Sequence, residues 1–307
     1  MLYLESPIGT GFSYNTHKLD LVNDDSTTAA SNFAALRAFY VKFPHLANNE
    51  FFITGESYAG RYIPQLASLI LDANFPTNFV GVAIGNGYLN TTASPEEYMY
   101  SHGFNSRAGL NPYNILANCK IFDLYASFHS FYDSRLQTNS SAFRSTFNRN
   151  QDLPCDGTPT LTNYLNRPDV RHAIHVSTDL KSGIWDICYN PNSSYLRGHG
   201  VMVSEIRRLI AAKRRVLLYN GDLDTVCDFI TDRHFAHSLG SKATTSTAWY
   251  VNDTNVIGGW ATRFSTPNFI FTTVRGSGHM VPLDQPAAAA TIFEHFLKGT
   301  FPHFIHQ

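Results

Sequence analysis

Short apolar runs that end in glycine alternate along this chain with longer stretches of helical periodicity. Phe51-Phe-Ile-Thr54 runs into Gly55, and Phe79 to Ile84 into Gly85-Asn86-Gly87. Val216 to Tyr219 runs into Asn220-Gly221, and Phe269 to Val274 into Arg275-Gly276. Runs of this length, bounded by turn residues, predict buried strands. Leu2 to Leu4 predicts one more. Phe33, Leu36 and Tyr40 recur at helical spacing, with Asp24, Asp25 and Ser26 offering caps and Pro44 marking the end. Tyr62 to Leu71 predicts a helix that Pro64 should kink or restart. Val203, Ile206 and Ile210 place another over Met202 to Lys213, and a last helix is expected near Pro286 with Asp284 as its cap. Strand, helix, strand, helix, strand in that order predicts a mostly parallel sheet with helices on its faces.

From about Pro95 to Ser182 the pattern changes. Asn, Ser, Tyr and Phe accumulate, periodic pieces shorten and strand runs become scarce. This predicts an inserted, partly helical region. The chain then divides into a first core part over 1–94, an insertion over 95–182 and a second core part over 183–307.

Composition narrows the function. The chain has 307 residues, enough for one large α/β domain with an insertion, and 43% of them are hydrophobic. A formal net charge of −1 gives no ground for binding nucleic acid or a membrane surface. No apolar run approaches the ~18 residues that span a bilayer, so no membrane insertion is expected. The start, Met1-Leu-Tyr-Leu-Glu5, has neither the basic nor the apolar region of a signal peptide. Cys119, Cys155, Cys188 and Cys227 form no C-x-x-C pair, and the pairs His172/His175 and His234/His237 lack a third ligand, so no metal is expected. Gly9-Thr10-Gly11 precedes no helix and lacks a third glycine, so it is no phosphate cradle, and no cofactor is expected. Sequons at Asn90, Asn139, Asn192 and Asn252 lie in polar, loop-like surroundings and point to a glycosylated protein of the secretory pathway.

The chemistry concentrates at the glycine-ended strands. Gly55-Glu-Ser-Tyr-Ala59 puts Ser57 on a turn between strand and helix with small residues on either side, the context of a nucleophile elbow matched as G-x-S-x-A. Strand 216–219 leads to Asp222 and Asp224, and strand 269–274 leads to His279. The C-terminal ends of parallel strands line one crevice. A serine there becomes nucleophilic when a histidine takes its proton and a carboxylate orients the imidazole. The chain order Ser…Asp…His is that of α/β-hydrolases. Asp222 and Asp224 compete for the third role, since both face the cleft if the loop is extended. Each residue alone also fits a bland reading: a loop serine, a loop histidine, aspartates that satisfy turn amides. Glu56 beside Ser57 equally fits a solvated charge at a helix N-terminus.

Glu5-Ser-Pro-Ile-Gly-Thr-Gly-Phe-Ser-Tyr14, Gly55-Glu-Ser-Tyr-Ala-Gly60, Gly85-Asn-Gly87, Trp185-Asp-Ile-Cys188, Tyr219-Asn-Gly-Asp-Leu-Asp-Thr-Val-Cys227 and Gly276-Ser-Gly-His-Met-Val-Pro282 together resemble the serine carboxypeptidases. The resemblance runs in consistent order over nearly the whole chain and is weakest between Pro95 and Ser182. It implies an α/β-hydrolase fold with an inserted, largely helical cap. It also implies release of single residues from peptide C-termini, at acid pH, in a lysosome or outside the cell. By position it makes Ser57 the nucleophile, Asp224 the orienting acid and His279 the base. The Tyr58 N–H becomes an oxyanion donor, Glu56 the acid that binds the substrate's terminal carboxylate, and Met280 a neighbour of the leaving-group pocket. A protonated Glu donates to a carboxylate whereas an ionised one repels it, which makes an acid preference sensible.

The family's Trp-x-Asn-Gly-Gly-Pro-Gly-Cys-Ser-Ser segment has no counterpart in these 307 residues. It supplies a second oxyanion donor and a cysteine expected to pair with Cys188. The first strands would be missing with it, and Met1 would be internal to a longer chain. Cys119–Cys155 is then a candidate disulfide within the cap, with Cys227 free. Two alternatives follow: an acyltransferase on the same scaffold, or a non-catalytic binding or protective protein.

Overall fold

The computed structural model describes residues 1–15, 21–90, 113–116, 158–177, 184–185, 193–198, 200–252 and 254–300. Strand β1 (Leu21–Asp24) leads directly into α1 (Asp25–Lys42), followed by a 3-10 turn over Pro44–Leu46. Next come β2 (Phe51–Glu56), α2 (Ala59–Ala73) and β3 (Phe79–Gly85). Two short helices, α3 (Thr158–Leu165) and α4 (Pro168–Ala173), precede β4 (Ser193–Leu196) and α5 (Val203–Ala211). Strand β5 (Arg215–Gly221), α6 (Phe229–Ser238), the strands β6 (Ala243–Tyr250) and β7 (Ile257–Phe264), β8 (Phe269–Val274), α7 (Val281–Asp284) and α8 (Pro286–Lys298) complete the described chain.

Six strands form the central sheet in the order β2-β3-β5-β8-β7-β6. The first four run parallel, and β7 and β6 are antiparallel additions at one edge. Alternate residues serve opposite faces, as the strand period requires. Val82, Ile84, Val216, Leu218, Phe269 and Phe271 pack on one face with Leu36 of α1, Ile63 and Ile70 of α2, Ile206 of α5 and Phe235 of α6. Ala83, Leu217 and Ile270 pack on the other face with Ala288, Ile292 and Phe296 of α8 and with Trp249 of β6. Burying each large apolar side chain contributes roughly 1.5–3 kcal/mol, so a sheet covered on both faces anchors its strand ends firmly.

Helix α1 starts where its acidic cluster predicts, with a capping box between Asp24 and Thr27. Helix α2 begins at Ala59, earlier than its apolar run suggests, because Tyr58 already has helical angles, and it continues through Pro64 without restarting. The only backbone bond a proline must forfeit there is its own N–H donor.

Two expectations are corrected. Leu2 to Leu4 is not a strand: no described strand pairs with it, and its side chains stand in solvent. Asp284 does not cap α8. The N-cap position is Gln285, and the Asp284 carboxylate is taken instead by the Gly278 N–H at 2.7 Å and the Asn114 amide at 3.1 Å. A separate two-stranded parallel pairing of β1 with β4 stands outside the main sheet.

Candidate active site

Ser57, Asp224 and His279 follow β2, β5 and β8, whose parallel arrangement puts their carboxyl ends along one edge of the sheet. Ser57 has φ of 62°, in the left-handed region that non-glycine residues seldom occupy. The turn around it is tied down: Ser57 N–H donates to Gly85 O at 3.0 Å, and Ser57 O accepts from Gly60 N–H at 2.9 Å and Tyr88 N–H at 2.8 Å. Among the described residues the Tyr58 N–H, at the start of α2, has no acceptor. A free donor at a helix N-terminus is what a developing oxyanion needs.

Asp224 is fully buried and lies 2.7 Å from His279, Oδ2 to Nδ1. Its remaining acceptor capacity is filled. Asn86 Nδ2 donates to Oδ2 at 2.8 Å, Val226 N–H to Oδ1 at 2.8 Å and Cys227 N–H to Oδ2 at 3.2 Å. These donors fix the carboxylate's orientation in a site closed to water. His279 is itself buried, its N–H donates to Tyr113 O at 2.7 Å, and the Tyr113 ring lies edge-on to the imidazole at 5.2 Å. Burial lowers the imidazole's proton affinity, but the Asp224 charge and hydrogen bond, with Glu56 and Asp232 behind them, outweigh it and leave the pKa raised. Among the described residues no hydrogen bond joins Ser57 Oγ to the ring, whose bond is to Asp224. Such contacts are commonly loose until substrate binds.

The two aspartates are held differently. Asp222 accepts from Gly276 N–H at 2.7 Å and so ties the β5 loop to the β8 loop, while Asp224 reaches the histidine. Gly221 and Gly278 permit that approach. A Cβ on Gly221 would strike the carbonyls of Ser277 and Gly278, and one on Gly278 would strike Tyr113 O.

Glu56 is pushed up to about 7, mainly by burial, with the charges of Asp224 and Asp284 adding to the rise and His279 opposing it. It therefore sits within electrostatic reach of the Asp224–His279 pair. Met280, next to the histidine, is 40% exposed. Behind Asp224, the buried Asp232 accepts from Asn220 Nδ2 at 2.8 Å, and burial raises its pKa well above the carboxylate range. Cys227 is a buried free thiol, and burial first, then Asp224 and its acidic neighbours, raise its pKa well above the usual value.

Asn86 is the residue that the sequence pattern left without a task. It directly follows β3 with φ of 41°, and besides Asp224 it holds Gly221 N–H at 3.0 Å through Oδ1. Its position at the carboxyl end of β3, between the serine strand and the aspartate strand, was the available signal. Of the sequons, Asn252 is exposed and its Oδ1 accepts from Thr291 Oγ1 at 2.6 Å, and Asn90 is half-buried. Asn139 and Asn192 lie outside the described residues, as do Cys119, Cys155 and Cys188, so the Cys119–Cys155 pairing does too. Among the described residues no group of three or more His, Cys, Asp or Glu could hold a metal, and no helix is long and apolar enough to cross a membrane.

The profile of the serine carboxypeptidase family matches residues 1–108 and 96–299. The chain is 31% identical over 357 aligned positions to the lysosomal protective protein of Mus musculus, covering 97% of this chain and 74% of that protein. It is 32% identical over 353 positions to a serine carboxypeptidase of Caenorhabditis elegans, covering 97% of this chain and 74% of the relative. Among solved structures it is similar to a prohormone-processing carboxypeptidase of Saccharomyces cerevisiae, with a TM-score of 0.68 and 18% identity, covering 96% of this chain and 73% of that one. That likeness shows the α/β-hydrolase type of fold, a mostly parallel sheet flanked by helices.

Proposed function

The chain belongs to the serine carboxypeptidase family, and from that premise we propose that it releases residues from peptide C-termini through an acyl-enzyme formed on Ser57. The observation that carries this reading is the 2.7 Å contact between the buried Asp224 carboxylate and His279 Nδ1. It leaves the other ring nitrogen as the base for the serine at the carboxyl end of β2, on the same rim of the sheet. His279 takes the Ser57 proton as Oγ attacks the scissile carbonyl, and returns it to the leaving amine. Water then repeats the cycle to release the acyl group. The Tyr58 N–H receives the developing oxyanion.

Glu56 gives the site its exopeptidase character. In its protonated form it donates to the terminal carboxylate of a substrate, and burial favours that form up to about pH 7. Glu56 and His279 influence each other's charge electrostatically. One proton on the pair can sit on either group, and a bound carboxylate anion draws it onto Glu56 and frees the imidazole for catalysis. Acid activity is then compatible with a histidine base. Met280, beside the histidine and 40% exposed, is read as a neighbour of the leaving-group pocket.

Peptides with a free C-terminus are the substrates of this reading, and the setting is lysosomal or secreted: the name of the Mus musculus relative supports the first, the sequons either. Residues 95–182 are taken as an inserted cap. Strands β3 and β5 are sheet neighbours although Gly85 ends one and Arg215 begins the other, so the chain between them leaves the sheet and returns. Asn90, Asn139, Asn192 and Asn252 remain proposed glycan acceptors. No observation favours the acyltransferase or the non-catalytic reading. The test is hydrolysis of an N-blocked dipeptide against the same dipeptide with an amidated C-terminus. Cleavage of the free acid alone supports the proposal, and equal cleavage of both would refute the role of Glu56.

A further inference from the structure

Asp25 is a buried acid for which the catalytic scheme has no use. It opens α1, but it is not the cap: Asp24 fills that role through Thr27. Asp25 is 7% exposed, and its carboxylate turns away from its own helix. Oδ1 accepts from Tyr58 Oη at 2.9 Å and from Tyr195 Oη at 2.7 Å, and Oδ2 accepts from Gly198 N–H at 3.2 Å. Burial first, then Asp25, raise the pKa of the Tyr58 hydroxyl, and burial with Asp25 does the same for Tyr195, so both stay neutral donors. Two segments far apart in sequence, at Tyr58 and at 195–198, thus converge on one carboxylate.

Tyr58 is the residue after Ser57. Its ring is stacked on Tyr88 at 5.7 Å, meets Tyr195 edge-on at 5.6 Å and Tyr62 at 5.1 Å, and lies 5.8 Å from the Arg197 guanidinium. Tyr88 in turn donates its N–H to Ser57 O at 2.8 Å. The Tyr58 hydroxyl thus tethers the far end of a side chain whose backbone follows the strained serine and carries the N–H at the start of α2. Charge-assisted hydrogen bonds of this kind are strong and geometrically specific.

We propose that Asp25 is a positioning residue for the reaction: by holding the Tyr58 hydroxyl it fixes the turn that presents Ser57 Oγ and the Tyr58 N–H. The inference rests on the reading of Ser57 as the nucleophile. Displacing a reacting group by about 1 Å costs roughly a hundredfold in rate, so a small slackening of this turn suffices to be measured.

The experiment measures kcat, KM and the thermal midpoint for Asp25→Ala, Asp25→Asn, Tyr58→Phe and the Asp25→Ala/Tyr58→Phe pair, with fluorophosphonate labelling of the parent chain alongside. The expected result is a kcat lower by about 10- to 100-fold in Asp25→Ala and Tyr58→Phe, with KM within about twofold. Asp25→Asn, which keeps an acceptor oxygen, recovers part of the loss. The double variant is no worse than the more impaired single one, because both changes cut the same tether. Undiminished kcat in Tyr58→Phe overturns the proposal whatever happens to stability, and so do losses that multiply in the double variant. If Asp25→Ala fails to fold, Tyr58→Phe decides alone. A parent chain that takes no label refutes the nucleophile reading and this one with it, whereas a labelled parent with fully active variants refutes only this one.

Discussion

Asp224 and His279 are joined Oδ2 to Nδ1 across 2.7 Å, with both side chains closed to solvent and three further donors holding the carboxylate in place. Asp224→Asn preserves the volume but offers an amide that favours the wrong tautomer of the ring. We expect kcat for a blocked dipeptide to fall by about 10⁴-fold, as loss of an orienting aspartate does in triads of this kind, with KM little changed. Steady-state kinetics at the pH of maximum activity measures it.

Glu56 links the site to pH through the opposite sign from most carboxylates. Burial raises its pKa from 4.5 to about 7. Between those values the unfolded chain has released a proton that the folded chain keeps, so stability declines as pH rises through that window and levels off above it. The full effect is about 3 kcal/mol at most. Glu56→Gln removes it: relative to the parent, its thermal midpoint should improve between pH 4.5 and pH 7.5. Parallel melting curves with no change in offset would contradict the assignment.

Asn86 serves two masters, donating to Asp224 and accepting from Gly221 N–H inside a fully buried region. Asn86→Ala leaves both without that partner and places alanine at a left-handed backbone position. The expected cost is about 2–4 kcal/mol, from unsatisfied buried groups and backbone strain together. Urea titration reads the stability, and a lower kcat should accompany it because Asp224 loses a donor.

Gly221→Ala tests the contact between the two loops that carry Asp224 and His279. The added Cβ strikes backbone carbonyls of Ser277 and Gly278, which no rotamer change can move. We expect destabilisation of about 1–3 kcal/mol and loss of activity, since relief requires the His279 loop to shift. A thermal midpoint and kcat equal to the parent's would show that the loops are not so closely packed.

How much of this was legible beforehand depends on what each signal measures. Strands β3, β5 and β8 are continuous apolar runs because both faces are covered, β2 at the end of the described sheet is only partly buried, and a glycine lies at or within two residues of the end of each of the four. Ser57, Asp224 and His279 could be read off those ends. The β6–β7 pair was invisible for a physical reason. Strand β6 is mostly exposed, with Trp249 its one deeply buried residue, and Gly258-Gly259 looks like a breaker. In the fold those glycines leave the space the Trp249 indole fills. Leu2 to Leu4 misled because a short apolar run reports a tendency to be covered and cannot supply the cover. Asp25 read as one of three cap candidates, and only the fold separates the cap, Asp24, from the residue that reaches Tyr58.

The most direct test of the central claim is site-mapped labelling of the chain with a fluorophosphonate, followed by mass spectrometry. If the sheet edge activates a serine through His279, the label lands on Ser57 in the parent chain, is absent in Ser57→Ala and forms far more slowly in His279→Ala. A folded chain that stays unlabelled at Ser57, or labels equally fast without His279, would contradict it.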